Sequence, residues 1–378
     1  MIRRINVARV FHAIRAAPGT SPQQLSKATR LDLATISIIV AGLERDGVVR
    51  REAGPRTGMS GRPTSALYVH GGTRALAGIS FETDKIEILV TSLTGEVRGA
   101  VTLPGSLDPV RAADAAVQGL RGLLRRHRIA RSALAGVGVG VPGLVGLDGT
   151  VVLAPNLDWH DIDLAQQLGA GIGAPVRVDN DTKAAATAEH LFGGKLQVAD
   201  FAYLTGRSGI GGGLYLGGGL YRGPHGMAGE LGHMKLVPRG RPCGCGGFGC
   251  FEAYVSEHAI LTSLREHGRE FADVEGVKRA AAAHDAVVVG VLTDAGNYLG
   301  LALANLANLL SPSRMVLGGS LATLAEFLLP ASMPAYEANA LAVVRRHVEI
   351  TISELGERAV PLGGIALALE HFLENSTS

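Results

Sequence analysis

From residue 75 onward, apolar strand-like runs alternate with helical patterns, and that alternation confines most of this 378-residue chain to α/β layers. "ALAGISFETDKIEILVTSLTGEV" reads as a strand, a turn and a second strand. "LAGVGVGVPGLV" is a buried strand ending in Pro142 and Gly143, and "APVRVDNDTKAAATAEHLFGG" is a strand closing at Asp179 before an alanine-rich helix. "FAYLTGRSGIGGGLYLGGGLYRG" gives two strands about a glycine loop, and "RMVLGGSLA" a strand that turns through Gly318 and Gly319 into a helix. The order is that of two α/β lobes with a cleft between them. The 52 glycines cluster at such turns without a repeat, which excludes collagen-like and low-complexity chains.

The first 70 residues follow a different pattern. "INVARVFHAIRAAPG" sets Ile5, Val10, Phe11 and Ile14 on one helical face and stops at Pro18 and Gly19. Ser21 can cap a short helix with Pro22 at its first position, and Asp32 can cap a third helix that buries Ile36, Val40 and Leu43 and ends at Gly47. Two strand-like runs about a Gly, Pro and Arg-rich tip follow, completing a winged helix. Its use is DNA binding, or protein interaction on the same fold. For DNA, the third helix enters the major groove with Thr35 and Ser37 as polar readers, beside the bulky Ile38 and Ile39. Arg50, Arg51, Arg56 and Arg62 serve phosphates or a minor groove.

Charge agrees with that division. Residues 1–70 carry 11 Lys or Arg and 4 Asp or Glu, a net +7, leaving −5 on the other 308 residues. A basic module favours a polyanion, although a well-solvated basic surface has the same composition. All three cysteines fall between Cys243 and Cys250, so no stapled extracellular framework is expected. With no secretory signal pattern and no apolar run of membrane-spanning length, the expected location is cytoplasmic.

The combination of "GVPGLV", "NLDW", "VDND", "SGIGGGLYLGGGLYRG", "GELGH", "CGCGGFGCFE" and "VLGG" resembles the ROK family of repressors and sugar kinases, and the upstream winged helix with "GRP" is similar to its repressor branch. The resemblance implies an actin- and hexokinase-like body in two lobes, residues 75–195 and 196–359, the first completed by the C-terminal helix 360–375 and both preceded by a winged helix-turn-helix domain at 1–70. It also implies a structural zinc and a sugar pocket in the cleft. His233, Cys243, Cys245 and Cys250 supply one imidazole and three thiolates, the donor set of a closed tetrahedral Zn²⁺ site, one per subunit. Four protein ligands leave no position for water, so the ion would fix the loop carrying Glu230 and Glu252. Buried free cysteines are the plainer alternative.

By the same resemblance, Asn180, Asp181, Glu230, His233 and Glu252 hold sugar hydroxyls, and Gly143 and Asn156 complete the pocket. Each has a structural alternative: Asp181 as a helix cap, Glu230 as a solvated loop acid, Asn156 as a turn former. Asp181 is the family's general-base position. The kinases of the family carry Asp-x-Gly-Gly-Thr in the first turn, and here Ser80, Glu82, Thr83 and Asp84 replace the Asp, both glycines and the Thr. Side chains and two carboxylates then stand where triphosphate has to approach. Arg207 also replaces a usual glycine. Lys183 and Arg207 are candidates for an effector phosphate, against the plain reading of solvated charge. The expected protein is a non-catalytic repressor of carbohydrate genes, a homodimer or homotetramer with operator DNA and a sugar or sugar-phosphate effector as partners. The alternatives are an active ATP-dependent sugar kinase with a DNA-binding appendage and a scaffold that has lost its ligand; the retained polar pocket argues against the scaffold.

Overall fold

The computed structural model describes residues 2–53, 65–193 and 198–376. They pack as two compact units, residues 1–181 with 361–378 and residues 182–360. The first unit opens with α1 (Ile2–Ala16), α2 (Pro22–Thr29) and α3 (Leu33–Arg45), then a hairpin of β1 (Val49–Ala53) and β2 (Ser65–Val69) in antiparallel register. Val7, Val10, Phe11 and Ile14 of α1 close on Leu25, Ile36, Ile39, Val40, Leu43 and Leu67. Ser21 forms a capping box with Gln24, and Asp32 accepts from the Thr35 amide. Two apolar assignments change. Ile5 lies exposed while Val7 takes the core position, and Ile39 is buried beside an Ile38 that is 64% exposed.

The remainder of the first unit is a five-stranded sheet, β3 (Ala75–Phe81), β4 (Lys85–Ser92), β5 (Val97–Pro104), β6 (Leu134–Val141) and β10 (Val176–Asn180), in the order β10-β6-β3-β4-β5. A small sheet of β7 (Leu144–Val145), β8 (Val151–Ala154) and β9 (Trp159–Ile162) lies between β6 and β10 in sequence. Helices α4 (Pro109–Arg126) and α5 (Leu164–Ile172) contribute Ala116, Leu120, Leu164 and Leu168 to a core shared with Ile79, Ile88 and Val139. The C-terminal helix, α14 (Ala359–Asn375), packs on this sheet where side chains are missing. A Cβ on Gly78 would stand 1.8 Å from the Pro361 carbonyl oxygen and one on Gly138 1.9 Å from that of Gly364, so only glycine permits the approach.

The second unit begins inside α6 (Asp181–Phe192), whose buried face runs from Thr182 to Glu189. Its sheet comprises β11 (Phe201–Gly206), β12 (Ile210–Leu216), β13 (Gly219–Leu220), β14 (Arg314–Gly318) and β15 (Glu349–Ile352), ordered β13-β12-β11-β14-β15. Both units therefore repeat one plan: three consecutive antiparallel strands, then two strands added in parallel on the other side of the first. Around this sheet lie α7 (Glu252–Val255), α8 (Glu257–Glu266), α9 (Val274–Ala282), α10 (Ala286–Leu310), α11 (Gly319–Thr323), α12 (Ala325–Asn339) and α13 (Ala342–Arg345). Contrary to the expectation from sequence, one helix, α10, is long and apolar enough to cross a membrane. Its Leu292, Leu299 and Leu303 nevertheless join the core around Leu317 and Leu328, the behaviour of a central helix in a packed unit.

Candidate functional site

The segment after β13 folds into a loop that doubles back on itself. Lys235 pairs with Cys250 and Pro242 with Phe248 in isolated antiparallel bridges, and the Cys243 amide donates to the Gly247 carbonyl at 2.9 Å. Gly249 makes the return possible at φ +69°, where a Cβ would sit 1.7 Å from the Val237 carbonyl oxygen. The Tyr254 hydroxyl accepts from the Arg241 amide at 2.8 Å and anchors the loop to α7.

This folding brings His233, Cys243, Cys245 and Cys250 together, with one ligand atom from each lying within 4.8 Å of all the others. Cys245 Sγ and Cys250 Sγ are 3.7 Å apart, as are Cys243 Sγ and His233 Nδ1. Two sulfurs on one tetrahedral zinc at about 2.3 Å each lie about 3.8 Å apart, so donor set and spacing both fit a metal ion. The thiols are not equivalent. Burial pushes Cys243 up, reinforced by its hydrogen bond to Glu252 Oε1 at 2.9 Å. The Gly247 amide, followed by the neighbouring thiol of Cys243, brings Cys245 down to about 7.

Two residues join the cluster that its spacing did not announce. Lys235 Nζ lies 2.8 Å from Cys250 Sγ, a placement that follows from the Lys235–Cys250 bridge. Glu252 connects the cluster to the β11–β12 turn, with Oε1 3.5 Å from His233 Nδ1 and Oε2 accepting from the Ile210 amide at 3.5 Å. Glu230 stands exposed at the start of the short turn that carries His233, whose amide donates to the Glu230 carbonyl at 3.2 Å. Arg207 lies in the β11–β12 turn, its carbonyl accepting from the Glu257 amide.

In the first unit, Asn180 Nδ2 donates to the Gly143 carbonyl at 2.9 Å, which locks the end of β10 to the turn after β6. Asp181 follows as the first residue of α6, half-buried, and Asn156 is exposed in the turn after β8. Lys183 departs from the expectation of a surface charge. It is 1% exposed, and its ammonium donates to the Gly226 carbonyl at 2.6 Å within the second unit. The turn at Glu82, Thr83 and Asp84 is a tight β3–β4 connection in which the Glu82 amide donates to the Lys85 carbonyl. Thr83 and Asp84 are exposed at its tip, and Lys85 lies 3.9 Å from Glu82 and 3.5 Å from Glu87. Ser80 is fully buried, its hydroxyl without a hydrogen-bond partner among the described residues.

On the winged helix, α3 exposes Leu33, Ala34, Ser37, Ile38 and Ala41, and Arg45 in its last turn. Thr35 is half-buried, its hydroxyl on Asp32 at 2.7 Å, and the Ser37 hydroxyl donates to the Leu33 carbonyl. The reading face is therefore more apolar than its two polar candidates suggested. Arg51 is held by both oxygens of Glu44, at 2.9 and 3.0 Å, which ties it to α3 rather than leaving it free for phosphate. Arg50 pairs with Glu52 and lies over the Tyr68 ring at 5.1 Å. Arg56 and Arg62 lie outside the described residues.

Fold and loop together define a two-part protein, a winged helix on an α/β body built from two like sheets and carrying a Cys₃His cluster. Residues 76–371 match the ROK family, and the chain belongs to that family. Residues 4–58 match the MarR family, in keeping with the winged helix. The chain is 28% identical over 377 residues to the xylose repressor of Bacillus subtilis (strain 168), covering 100% of this chain and 98% of that one. It is 32% identical over 313 residues to the glucokinase of Halalkalibacterium halodurans, covering 77% of this chain and 94% of the glucokinase. Among solved structures, a ROK family transcriptional regulator, a homologue of the Escherichia coli MLC protein, matches with a TM-score of 0.85 at 26% identity, over 100% of this chain and 98% of that one.

Proposed function

We propose that this chain is a sugar-responsive, DNA-binding transcriptional repressor. The observation that carries the reading is extent: likeness to the xylose repressor covers 100% of the chain, whereas likeness to the glucokinase covers 77%. Residues 1–70 form the DNA-binding domain, with Ser37 and the exposed Ile38 facing bases and Arg50, Arg56 and Arg62 serving the backbone. Residues 75–195 with the C-terminal helix, and residues 196–359, form the lobes that receive a sugar or sugar phosphate. Asn180, Asp181, Glu230, His233 and Glu252 bind its hydroxyls, with Gly143 and Asn156 shaping the pocket. His233, Cys243, Cys245 and Cys250 hold one structural zinc, which when bound supplies a rigid tetrahedral anchor. Glu252, hydrogen-bonded to Cys243 and aligned with the start of β12, is oriented by the same loop.

A second reading, a sugar kinase with a DNA-binding appendage, is favoured by the 32% identity to a glucokinase and by the retained Asp181. Glu82, Thr83 and Asp84 in the first turn oppose it, because they bring two carboxylates to the place where triphosphate charge is held in the kinases. The deciding experiment titrates the zinc-loaded full chain onto labelled DNA from the region upstream of its own gene, with and without a panel of monosaccharides and their phosphates, xylose first. Sugar-dependent release with no ATP-dependent phosphorylation of that sugar is expected. DNA affinity indifferent to every sugar, together with robust phosphorylation lost in Asp181→Asn, would establish the kinase instead.

A further inference from the structure

On the second unit, residues of α12, α13 and β15 line an open cleft of about 560 Å³ that shares no residue with the cysteine loop or the candidate sugar ligands. Its volume lies within the range of roughly 300–1,000 Å³ typical of small-molecule sites. Met333, Val348 and Ile350 give it an apolar wall. Arg345 and Arg346 both belong to the lining, with Glu337 as its single acid. Arg345 donates to the main-chain carbonyl of Glu337 at 2.7 Å, and among the described residues neither guanidinium pairs with a carboxylate. Tyr336, also in the lining, is 3% exposed, and its buried hydroxyl has no hydrogen-bond partner among the described residues.

A buried hydroxyl without a partner has lost its hydration with nothing in return, and two guanidiniums with no carboxylate paired to them are donors for charge-assisted hydrogen bonds to an anion. An apolar wall behind a cationic lining matches a ligand that is apolar at one end and anionic at the other. We propose that this cleft is a second ligand site, taking a small amphipathic anion: an apolar body bearing a carboxylate or phosphate that Arg345 and Arg346 bind, with the Tyr336 hydroxyl as a further partner. The proposal is independent of the sugar reading.

The test uses the zinc-loaded full chain with phenylbutyrate, phenyl phosphate and the uncharged phenylbutanol as probes, observed by methyl-labelled NMR and calorimetry. Either anion should shift the signals of Met333 and Ile350, and phenylbutanol should bind about ten-fold more weakly than phenylbutyrate. The ratio between the two anions tells carboxylate from phosphate as the preferred head group. Arg345→Gln with Arg346→Gln should reduce phenylbutyrate affinity to that of the alcohol, and the exposed Arg346→Gln alone should lower it with an unchanged melting temperature. Tyr336→Phe should weaken binding several-fold. Equal affinity for acid and alcohol, undiminished binding by the folded variants, shifts confined to other regions, or no shift at millimolar probe would each overturn the proposal. So would an oligomer in which a second copy buries this face.

Discussion

Lys235 has the most specific single role among the residues of the cysteine loop. With the proposed Zn²⁺ bound, three thiolates would leave a net charge of −1, which the ammonium 2.8 Å from the Cys250 sulfur would offset. Lys235→Met should therefore release zinc to a chromogenic chelator about ten-fold faster while the protein stays folded. Cys245→Ser removes a ligand outright, and elemental analysis should fall from one zinc per chain to a small fraction. Glu189 offers a different test, distant in sequence and chemistry. It is buried, accepts from the Ser353 hydroxyl at 2.6 Å, and burial raises it above the ordinary value of 4.5. A raised carboxyl favours the protonated folded state, so its stabilising contribution is full below 4.5 and is lost as pH rises through the folded value. Glu189→Gln keeps the shape without the charge, and thermal melts across that window should show a flatter dependence on pH than the parent.

At the scale of elements, α3 puts two adjacent isoleucines to opposite uses. Ile39→Ala should cost about 2–4 kcal/mol by opening the winged-helix core. Ile38→Ala, on the exposed face, should leave the melting temperature alone and weaken operator binding in an anisotropy titration. Helical period could place Ile36, Val40 and Leu43 inside, because residues three and four apart share a face. The same spacing puts Ile39, three after Ile36 and four before Leu43, on that face and Ile38 off it, a distinction the sequence reading did not draw. Strands β3, β4, β6, β10, β11, β12 and β14 and the helix after β10 were legible as apolar runs, although β3 and β11 are buried throughout and show no period; β5, β15 and helices α7–α10 were not read from the sequence. Lys183 was not legible, because a charged residue in an alanine-rich helix reads as surface until Gly226 is seen to accept from it. Lys235 was hidden likewise, its role depending on a bridge across fifteen residues that no local pattern carries. The cysteine loop stood out because three thiols within eight positions leave few other uses.

For the whole molecule, the proposed operator binding by a winged helix with few polar readers would gain affinity from two copies on one pseudo-palindromic site. Arg62→Ala should weaken operator binding and reduce its salt slope by about one. Glu230→Ala should leave DNA affinity intact and blunt the response to sugar. How that response reaches the DNA is constrained by the short segment between β2 and β3. The His70 amide donates to the Val48 carbonyl, the Thr73 hydroxyl to Gly47, Arg98 to the Gly71 carbonyl and Arg74 to that of Ser132. If these bonds hold while the first α/β sheet turns, the joint would act as a crank rather than a tether and deliver that turn to α3 as torque. Two glycines inserted after Gly72, adding about 7 Å of free chain, should leave operator binding and sugar binding each in place and disconnect one from the other.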